Sequence, residues 1–240
     1  MSKPFVSIIL PCYKEERHLL ESIHELSKVA KGFDFTYEFI FVEDFSPDKT
    51  AIQLKRLEST LQHSKFIYHS HNKGRGASIK SGFNKAEGDI IGYIDVDLEV
   101  SPLYISDMVE ALQTHDVAVG KRNYFYQLTF KSIFRNFLSK GYHVLSKRLL
   151  KYPYSDTEAG YKFFKRESVF PFFNQIENNH WFWDTEFMAK VYIHNLKVIE
   201  IPVEFIRNDK KQSTVKPIRD SFTYLRELFK NKKRLSKKNQ

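Results

Sequence analysis

The chain has 240 residues, of which 42% are hydrophobic and 15% aromatic, enough for one packed domain. Its net charge of +9 favours polyanionic partners such as phosphorylated substrates, anionic lipid head groups or nucleic acid. The single cysteine, Cys12, excludes an internal disulfide, and no Cys/His cluster suggests zinc, which together indicate a reducing compartment. No N-terminal signal is evident and no apolar run approaches the roughly 20 residues of a membrane span. We therefore expect any membrane contact to be made from the surface.

The first half alternates strand and helix patterns at the spacing of βα units, which predicts a parallel sheet with helices on both faces. Strands are predicted at Phe5–Leu10, Glu38–Val42, Lys65–His69, Ile90–Ile94 and Val117–Val119. Helices are predicted at Glu15–Ala30, Asp48–Leu61, Ala77–Ala86 and Leu103–Leu112. In the second of these helices, apolar spacing predicts that Ile52, Leu54, Leu57 and Leu61 point inward.

The second half begins with a long helical pattern over Leu128–Leu150, whose Phe- and Leu-rich stripe is punctuated by Lys and Arg. That stripe fits a lipid-facing surface with cations at the head groups, or an ordinary core-packed helix. A strand at Gly160–Phe164, a helix over Glu186–Ile193 and a strand at Lys197–Phe205 follow. The chain ends in an amphipathic helix and the basic tail Lys230–Lys238, which is either simply solvated or adheres to anionic lipid.

Two carboxylates, Asp95 and Asp97, follow the apolar strand pattern that ends at Ile94. Negative side chains at the edge of a sheet are costly unless a cation compensates them, and open α/β sheets bind ligands at the carboxyl ends of their strands. Mg²⁺ takes one or two protein carboxylates and completes its shell with phosphate oxygens and water. The pair therefore predicts a divalent metal that holds a diphosphate. The alternative is that both acids cap the next helix.

Polar segments also follow the first two predicted strands. After the first strand, Tyr13 offers a flat ring and Glu15 a carboxylate, a pair suited to a base or ribose, although the segment also fits a plain strand-to-helix turn. After the second strand, Ser46 fits a turn or helix cap. The neighbouring acids Glu43 and Asp44 exceed what capping needs, so a carboxylate that accepts a hydrogen bond from a base is predicted there.

A glycine-rich segment, residues 71–77, follows the third predicted strand and opens a helix. Its two glycines and the cations Lys73 and Arg75 fit an anion cradle at a helix N-terminus. Neither the dinucleotide fingerprint nor the P-loop ending is present. A plain glycine-rich turn is the alternative.

The motifs occur in a fixed order: P-x-Y-x-E, V-[DE]-D-x-S-x-D-x-T, N-x-G-x-G-A and G-D-x-I-x-x-x-D-x-D-L. In this order the chain resembles the family 2 glycosyltransferases of the GT-A fold, and Pro102 and the Gly120-Lys-Arg122 segment continue the likeness. Residues 156–166 resemble the D-x-x-x-G-F-[KR]-x-x-x-R signature of polyprenyl-phosphate sugar transferases. The dolichyl-phosphate glucose and mannose synthases carry similar blocks. The likeness covers roughly residues 5–229.

The resemblance implies an α/β fold of the GT-A type: a Rossmann-like, mostly parallel sheet with helices on both faces, plus an acceptor-side segment with surface amphipathic helices. We expect a single domain over residues 1–240, with a nucleotide-sugar-binding half (1–122), an acceptor half (123–216) and an amphipathic helix with a basic tail (217–240). The implied reaction is metal-dependent, inverting transfer of a hexose from UDP- or GDP-hexose to a polyprenyl phosphate, with Mg²⁺ or Mn²⁺. The implied location is cytoplasmic, peripherally associated with the membrane, with a membrane-protein partner as one option.

The resemblance also assigns roles to residues. Asp95 and Asp97 would bind the metal. The nucleotide-sugar-binding set is Pro11, Tyr13, Glu15, Glu43, Asp44, Lys73, Arg75, Asp95, Val96 and Asp97. The catalytic set is Asp97, Arg122, Arg135 and Asp156, and the acceptor-phosphate set is Arg122, Arg135 and Lys216. Asp184 and Glu186 are reserve bases for a sugar hydroxyl acceptor, because a polyprenyl phosphate is already mostly ionised at neutral pH and needs no base.

The sequence departs from the family pattern at several positions. Lys14 replaces the usual Asn and Phe45 replaces a small residue, and these two changes leave the choice between uracil and guanine open.

Other functions remain alternatives. One is a transferase that extends a cell-surface polysaccharide or glycolipid. A basic nucleic-acid-binding protein is disfavoured because the aromatics fall on helix stripes and no RNA-recognition signature occurs. A degenerate transferase that serves as a membrane scaffold is disfavoured by the intact Asp95 and Asp97.

Overall fold

The computed structural model of the protein describes residues 5–124, 145–150, 152–206 and 226–230. The strands are β1 (Phe5–Cys12), β2 (Thr36–Glu43), β3 (Ser64–Tyr68), β4 (Ile90–Ile94), β5 (Val117–Tyr124), β6 (Tyr161–Lys165) and β7 (Val198–Phe205). The helices are α1 (Leu19–Ala30), α2 (Thr50–Leu57), α3 (Arg75–Lys85), α4 (Ile105–Ala111), α5 (Arg166–Phe173) and α6 (Trp183–Ile193). A 3₁₀ turn spans Pro102–Tyr104, and residues 145–150 and 226–230 are also helical.

The strands form one sheet in the order β3-β2-β1-β4-β6-β5-β7. All neighbours are parallel except β6, which runs antiparallel to both β4 and β5. β2 and β3 are added on one side of β1, and β4 lies on its other side, so the strand order reverses between β1 and β4. In sheets of this kind the crevice outside the carboxyl ends of the strands at such a reversal is the usual ligand site.

The central strands are apolar on both faces because helices cover both sides of the sheet. Successive residues of β1 alternate between two cores: Ile8 packs with one cluster and Ile9 with the other. The first cluster includes residues of α1, α2 and α4, and the second includes residues of α3, α5 and α6. This two-sided burial explains why the strand sequences read as continuous apolar runs rather than as alternating ones.

The predicted α/β class and mostly parallel sheet are confirmed, and every predicted strand is present. β5 continues past the predicted end at Val119 to Tyr124, because it pairs in parallel with β7 along its length. The predicted division of the chain into halves at residue 122 stays a prediction. Strands from both sides of that boundary belong to the same sheet.

Two predictions about helices were wrong in detail, and one helix was not predicted. α1 begins at Leu19 rather than at Glu15, because the Glu15 amide donates to Thr50 Oγ1 at 2.9 Å and residues 15–18 form a turn. Ile52 does not point inward; it is 51% exposed. Helix α5 was not predicted, since Pro171 lies inside it and breaks the apolar pattern that would have indicated a helix.

Only part of the predicted amphipathic surface lies in the described residues. Leu145 and Leu149 pack against the core cluster of the α3 face, which is the core-packing alternative for that end of the stripe. Leu228 is buried in the same cluster, whereas Phe229 is exposed. The remainder of the Phe-rich stripe, and the basic tail beyond Lys230, fall outside the described residues. Among the helices that the structure describes, none is both long enough and apolar enough to cross a bilayer.

Candidate active site

Asp95 and Asp97 follow β4 at the carboxyl edge of the sheet, beside the reversal between β1 and β4. Val96, which lies between them in a turn closed by the Leu98 amide on the Asp95 carbonyl, is buried. Asp97 Oδ1 accepts the Glu99 amide at 3.3 Å across a turn in which Leu98 has a φ of 51°. Both carboxylates border one pocket, which is lined by Asp95, Asp97, Glu99, Val100, Arg122, Gly160, Tyr161 and Phe205.

Arg75, the first residue of α3, binds the Asp95 carboxylate. The guanidinium contacts Asp95 Oδ1 through Nε at 2.9 Å and Nη2 at 2.8 Å, while the carboxylate keeps 45% of its side chain exposed. On the other side, the Asp95 amide donates to the Gly160 carbonyl, and a Cβ at Gly160 would overlap Asp95 Oδ2. Burial raises the pKa of Asp95, with Arg75 opposing that shift and Asp97 adding to it.

A buried group of charges lies beneath Asp95. Asp184, from the first turn of α6, accepts from Arg75 Nη1 at 2.5 Å, from the Tyr93 hydroxyl at 2.7 Å and from Lys162 Nζ at 2.8 Å. Burial lowers the pKa of Lys162, and Asp184 opposes that shift. Strands β4 and β6 and helices α3 and α6 thus meet at one carboxylate.

This group bears on two predicted roles, which stay predictions. Arg75 was predicted to contribute to binding of the nucleotide sugar, and its guanidinium is buried between Asp95 and Asp184. Asp184 was predicted as a reserve base, but it is buried and accepts from three donors. Glu186, the other reserve base, is also buried and accepts the Glu177 and Asn178 amides at 3.1 and 2.9 Å.

Arg122, which also lines the pocket, forms a two-point ion pair with Asp156. Arg122 Nε lies 2.7 Å from Asp156 Oδ2 and Nη2 lies 2.8 Å from Oδ1, the fork geometry that suits carboxylates and phosphates. Burial works to raise the pKa of Asp156, but Arg122 outweighs it and the net shift is downward. Glu200 Oε1 fixes the loop by accepting from the Ser155 amide at 2.8 Å.

Glu158 lies on the same loop and was not assigned a role from the sequence. Burial raises its pKa to about 7, with Arg122 opposing the shift and the carboxylates of Asp156 and Asp184 adding to it. A carboxyl group that titrates near neutrality is poised to exchange protons. Sequence alone could not identify it, because the shift in its pKa comes first from burial, which depends on the tertiary structure.

The segment after β1 borders the reversal point. Pro11 pairs in register with Val42 inside the sheet, and Tyr13 just beyond it is partly exposed. Lys14 has a φ of 61°, and its amide donates to Ser46 Oγ at 3.1 Å. Glu15 is buried behind this turn. Contacts of Pro11, Tyr13 and Glu15 with a nucleotide stay predictions.

Glu43 and Asp44, at the end of β2, are both buried and use their oxygens to fix loops. Glu43 accepts the Phe45 amide at 3.1 Å and the Ser46 amide at 2.6 Å. Glu43 thus stabilises its own turn, whereas the start of α2 is bound by Asp48, which accepts the Thr50 amide at 3.1 Å; a contact of Glu43 with a nucleotide stays a prediction. Asp44 instead binds the next loop along the sheet, accepting the Lys73 amide and the Gly74 amide, each at 2.8 Å. A contact of Asp44 with a base stays a prediction.

The glycine-rich segment opens α3 as predicted, but its amides are not directed at an open phosphate site. The Lys73 and Gly74 amides bind Asp44, and the Ala77 amide binds the Asn179 carbonyl. The anion at this helix N-terminus is therefore Asp44 itself. Gly74 has a φ of 97°, and a Cβ there would collide with the His180 ring, which explains the glycine.

Several site-supporting residues were missed from sequence. His69 bridges Asp44 at 2.7 Å and Ser81 at 2.9 Å, and Lys162 lies wholly buried within β6. A lysine inside an otherwise apolar strand was a usable signal for Lys162, because a buried lysine requires a buried acid. Arg135 and Lys216, the other predicted acceptor cations, lie outside the described residues.

The residues at this edge fit a divalent metal. Among the described residues, no group of three or more His, Cys, Asp or Glu side chains is arranged to hold an ion. The protein thus offers the two carboxylates of Asp95 and Asp97, which face one pocket. Mg²⁺ and similar hard cations are commonly bound by one or two carboxylates, with phosphate oxygens and water as the other ligands.

Comparison with known proteins identifies relatives for most of the chain. The family model described as Glycosyl transferase family 2 matches residues 7–170. Glycosyltransferase AglD of Haloferax volcanii is 29% identical over 89% of this chain, which spans 35% of that protein. A dolichyl-phosphate beta-glucosyltransferase of Trichomonas vaginalis, ALG5D, is 27% identical over 84% of this chain and 65% of its own length. The chain therefore spans about a third to two thirds of these relatives.

Solved structures share the fold at low sequence identity. Glucosyl-3-phosphoglycerate synthase from Mycobacterium tuberculosis, in complex with Mn²⁺, UDP and glucosyl-3-phosphoglycerate, superposes with a TM-score of 0.68 at 14% identity. That match covers 95% of this chain and 78% of the synthase. The mannosyltransferase PcManGT of Pyrobaculum calidifontis, in complex with GDP-Man and Mn²⁺, gives 0.62 at 14% identity and covers 88% of this chain and 59% of its own.

Proposed function

The chain belongs to glycosyl transferase family 2, and we propose that it transfers a hexose from a nucleotide-diphospho-sugar to a polyprenyl phosphate at a membrane surface. The observation that carries this proposal is the pocket that Asp95, Asp97 and Arg122 line together, with Arg122 held by Asp156. The two acids offer carboxylates for a metal, and Arg122 offers a guanidinium for an anion. Relatives named as dolichyl-phosphate glucosyltransferases support the lipid acceptor.

On the donor side, Asp95 and Asp97 would hold Mg²⁺ or Mn²⁺, which when bound supplies Lewis-acid stabilisation of the diphosphate leaving group. The chain's own contribution is to fix these oxygens before substrate arrives. Arg75 restrains Asp95, and the turn at Leu98 restrains Asp97. Carboxylates held in this way need little reorganisation as charge develops on the leaving group.

On the acceptor side, an oxygen of the lipid phosphate forms a bond to the anomeric carbon while the bond from that carbon to the diphosphate breaks. We expect inversion of the anomeric centre, because attack and departure occur on opposite faces. No base is required, since the second phosphate pKa is about 6 and the acceptor is mostly ionised at neutral pH. Arg122 would orient that phosphate, and Arg135 and Lys216 remain further candidates.

The alternative is transfer to a sugar hydroxyl in a polysaccharide or glycolipid, and one feature favours it. Glu158 lies near Arg122 with a pKa raised to about 7. A hydroxyl acceptor needs a general base whose pKa is close to the working pH. Glu158, rather than the buried Asp184 or Glu186, would then take the proton from the acceptor.

Location at the cytoplasmic face of a membrane also belongs to the proposal. The net charge of +9 favours adhesion to anionic lipid, since each Lys or Arg near such a surface contributes about 1 kcal/mol. We expect sedimentation with vesicles that contain anionic lipid, weakened by salt, and little sedimentation with neutral vesicles. If the protein sediments with neither kind of vesicle at any salt concentration, this part of the proposal is refuted. No nucleic-acid partner is expected.

The decisive experiment supplies the purified protein with Mn²⁺, radiolabelled UDP-glucose or GDP-mannose, and either undecaprenyl phosphate or, in a parallel reaction, an oligosaccharide. We expect label to enter an organic-extractable product that mild acid releases as free sugar. Replacement of Asp97 by Asn should abolish transfer, whereas Asp89→Asn, an exposed acid at the opposite end of β4, should not. An acid-stable product on an oligosaccharide would favour the hydroxyl acceptor. Absence of transfer with either donor and both acceptor classes would refute the proposed activity.

A further inference from the structure

Phe45 combines an exposed aromatic ring with an unfavourable backbone conformation. It directly follows Asp44 at the carboxyl end of β2, has a φ of 58° and is 57% exposed. A positive φ is common for glycine, tolerated by asparagine and a genuine outlier for a bulky residue such as phenylalanine. Because a solvated phenylalanine ring gains no burial in compensation, the conformation needs another explanation.

The surrounding turn forces this conformation. The buried Glu43 carboxylate accepts the amides of both Phe45 and Ser46, and Ser46 Oγ accepts the Lys14 amide from the loop after β1. A buried carboxylate is stable only when its oxygens are hydrogen-bonded, so Glu43 and the turn fix each other. The loops after β1 and β2 are thereby joined into one rigid rim that carries Tyr13 and Phe45.

The position of this rim matches the far end of a bound nucleotide. The metal-binding acids follow β4, which neighbours β1, which in turn neighbours β2. Adjacent strands lie about 4.8 Å apart, so the ends of β4 and β2 are separated by about 10 Å. A nucleotide whose diphosphate lies at Asp95 and Asp97 would cross the end of β1 and bring its base towards β2.

We propose that Phe45 is an aromatic platform on which the nucleobase of the sugar donor stacks. The inference rests on the proposed function and deepens it, since it names the group that binds the base. Every base has a π-face, so such a platform adds affinity for uridine and guanosine nucleotides alike and does not select between them. Local strain retained by a rigid surround is characteristic of ligand-binding positions.

The test separates strain from stacking with three variants. Phe45→Asn keeps a residue that tolerates positive φ but removes the ring, Phe45→Gly removes both ring and strain, and Phe45→Trp keeps a ring. Phe170→Ala is the matched control, because Phe170 is 56% exposed on α5, away from the rim. Binding of UDP and GDP is measured by calorimetry with Mn²⁺, and Tm is measured without ligand.

We expect Phe45→Asn and Phe45→Gly to bind both nucleotides about tenfold more weakly, from the usual strength of base–aromatic stacking, while their Tm without ligand is unchanged or higher. Phe45→Trp and Phe170→Ala should bind as the parent protein does. If the parent binds nucleotide and Phe45→Asn binds equally well, the platform is refuted and the proposed function stands. If the Phe45 variants instead lose binding to anionic vesicles and keep the nucleotide affinity of the parent, the platform is likewise refuted. If the parent binds neither nucleotide, both proposals fail.

Discussion

Replacing Asp184 by Asn tests whether the buried charges beneath the pocket depend on one another. Asp184 is the shared partner of Arg75, Lys162 and the Tyr93 hydroxyl, and its side chain is only 3% exposed. Asn preserves the size of the side chain and can still accept hydrogen bonds. It removes the negative charge, so two buried cations lose the anion that lies closest to both.

The expected loss is large for a single isosteric change. Breaking a buried ion pair by removal of one partner costs about 3–5 kcal/mol, because the other charge stays desolvated and uncompensated. For a chain of this length, each kcal/mol lowers Tm by about 2–4 °C, which gives a decrease of roughly 6–20 °C. The stability lost in Asp184→Asn should become smaller as pH rises towards 10.5. Burial lowers the pKa of Lys162, so Lys162 in the folded variant loses its proton at a lower pH than it does in the unfolded chain, and the uncompensated buried charge disappears.

The measurement is the free energy of unfolding from urea titrations, supported by calorimetric Tm across pH. The control is Glu87→Gln, which disrupts the exposed pair of Lys65 with Glu87 and should cost no more than about 1 kcal/mol. High salt should reduce the small effect of the control and leave the Asp184 effect nearly intact. A loss for Asp184→Asn no larger than that of the control would show that the buried charges do not depend on Asp184.

Three further predictions follow from the site. Asp97→Asn should retain the parent Tm without ligand but lose the rise in Tm that Mn²⁺ and UDP together produce; an undiminished rise would exclude Asp97 as a metal ligand. Glu158→Gln should be more stable than the parent at pH 8 and equal to it below pH 4.5. The pKa of Glu158 is about 7 in the folded parent and 4.5 in the unfolded chain, so the parent loses stability as pH rises through that interval. Urea titrations at both pH values measure the difference in unfolding free energy, and a difference that does not change with pH would contradict the prediction. Gly76→Ala should cost about 1–3 kcal/mol by overpacking, since its Cβ would lie 2.6 Å from Trp183 Cβ; Gly32→Ala, whose nearest contact would be 3.4 Å, is the control for urea unfolding.

The parts of the fold that could be predicted are those that depend on local pattern. Strands buried on both faces appear as uninterrupted apolar runs, and acids that directly follow such a run must lie at the carboxyl edge. For this reason Asp95 and Asp97 were located together from sequence, and the structure places them on one pocket. The order of motifs indicated the family, which the family model confirms.

The parts that could not be predicted depend on contacts between distant segments. Arg75 and Asp184 are 109 positions apart, and no periodicity indicates that one meets the other. The same holds for Glu43, whose oxygens are used by its own turn, and for Ile52, whose helix covers less of the sheet than its apolar spacing suggested. Pattern identifies which residues approach the edge of the sheet, but it does not show which acids are already neutralised there.

The antiparallel direction of β6 has a consequence for how the two halves of the chain are coordinated. Because β6 lies between β4 and β5, one hydrogen-bond register aligns Gly160 with Asp95 and inserts Lys162 beneath Asp184. A slip of one residue would turn Lys162 towards the opposite face and withdraw the glycine from the aspartate. The same five-residue strand therefore sets the position of Gly160 beside Asp95 and of Lys162 beside Asp184, so that a change in its register would alter both contacts.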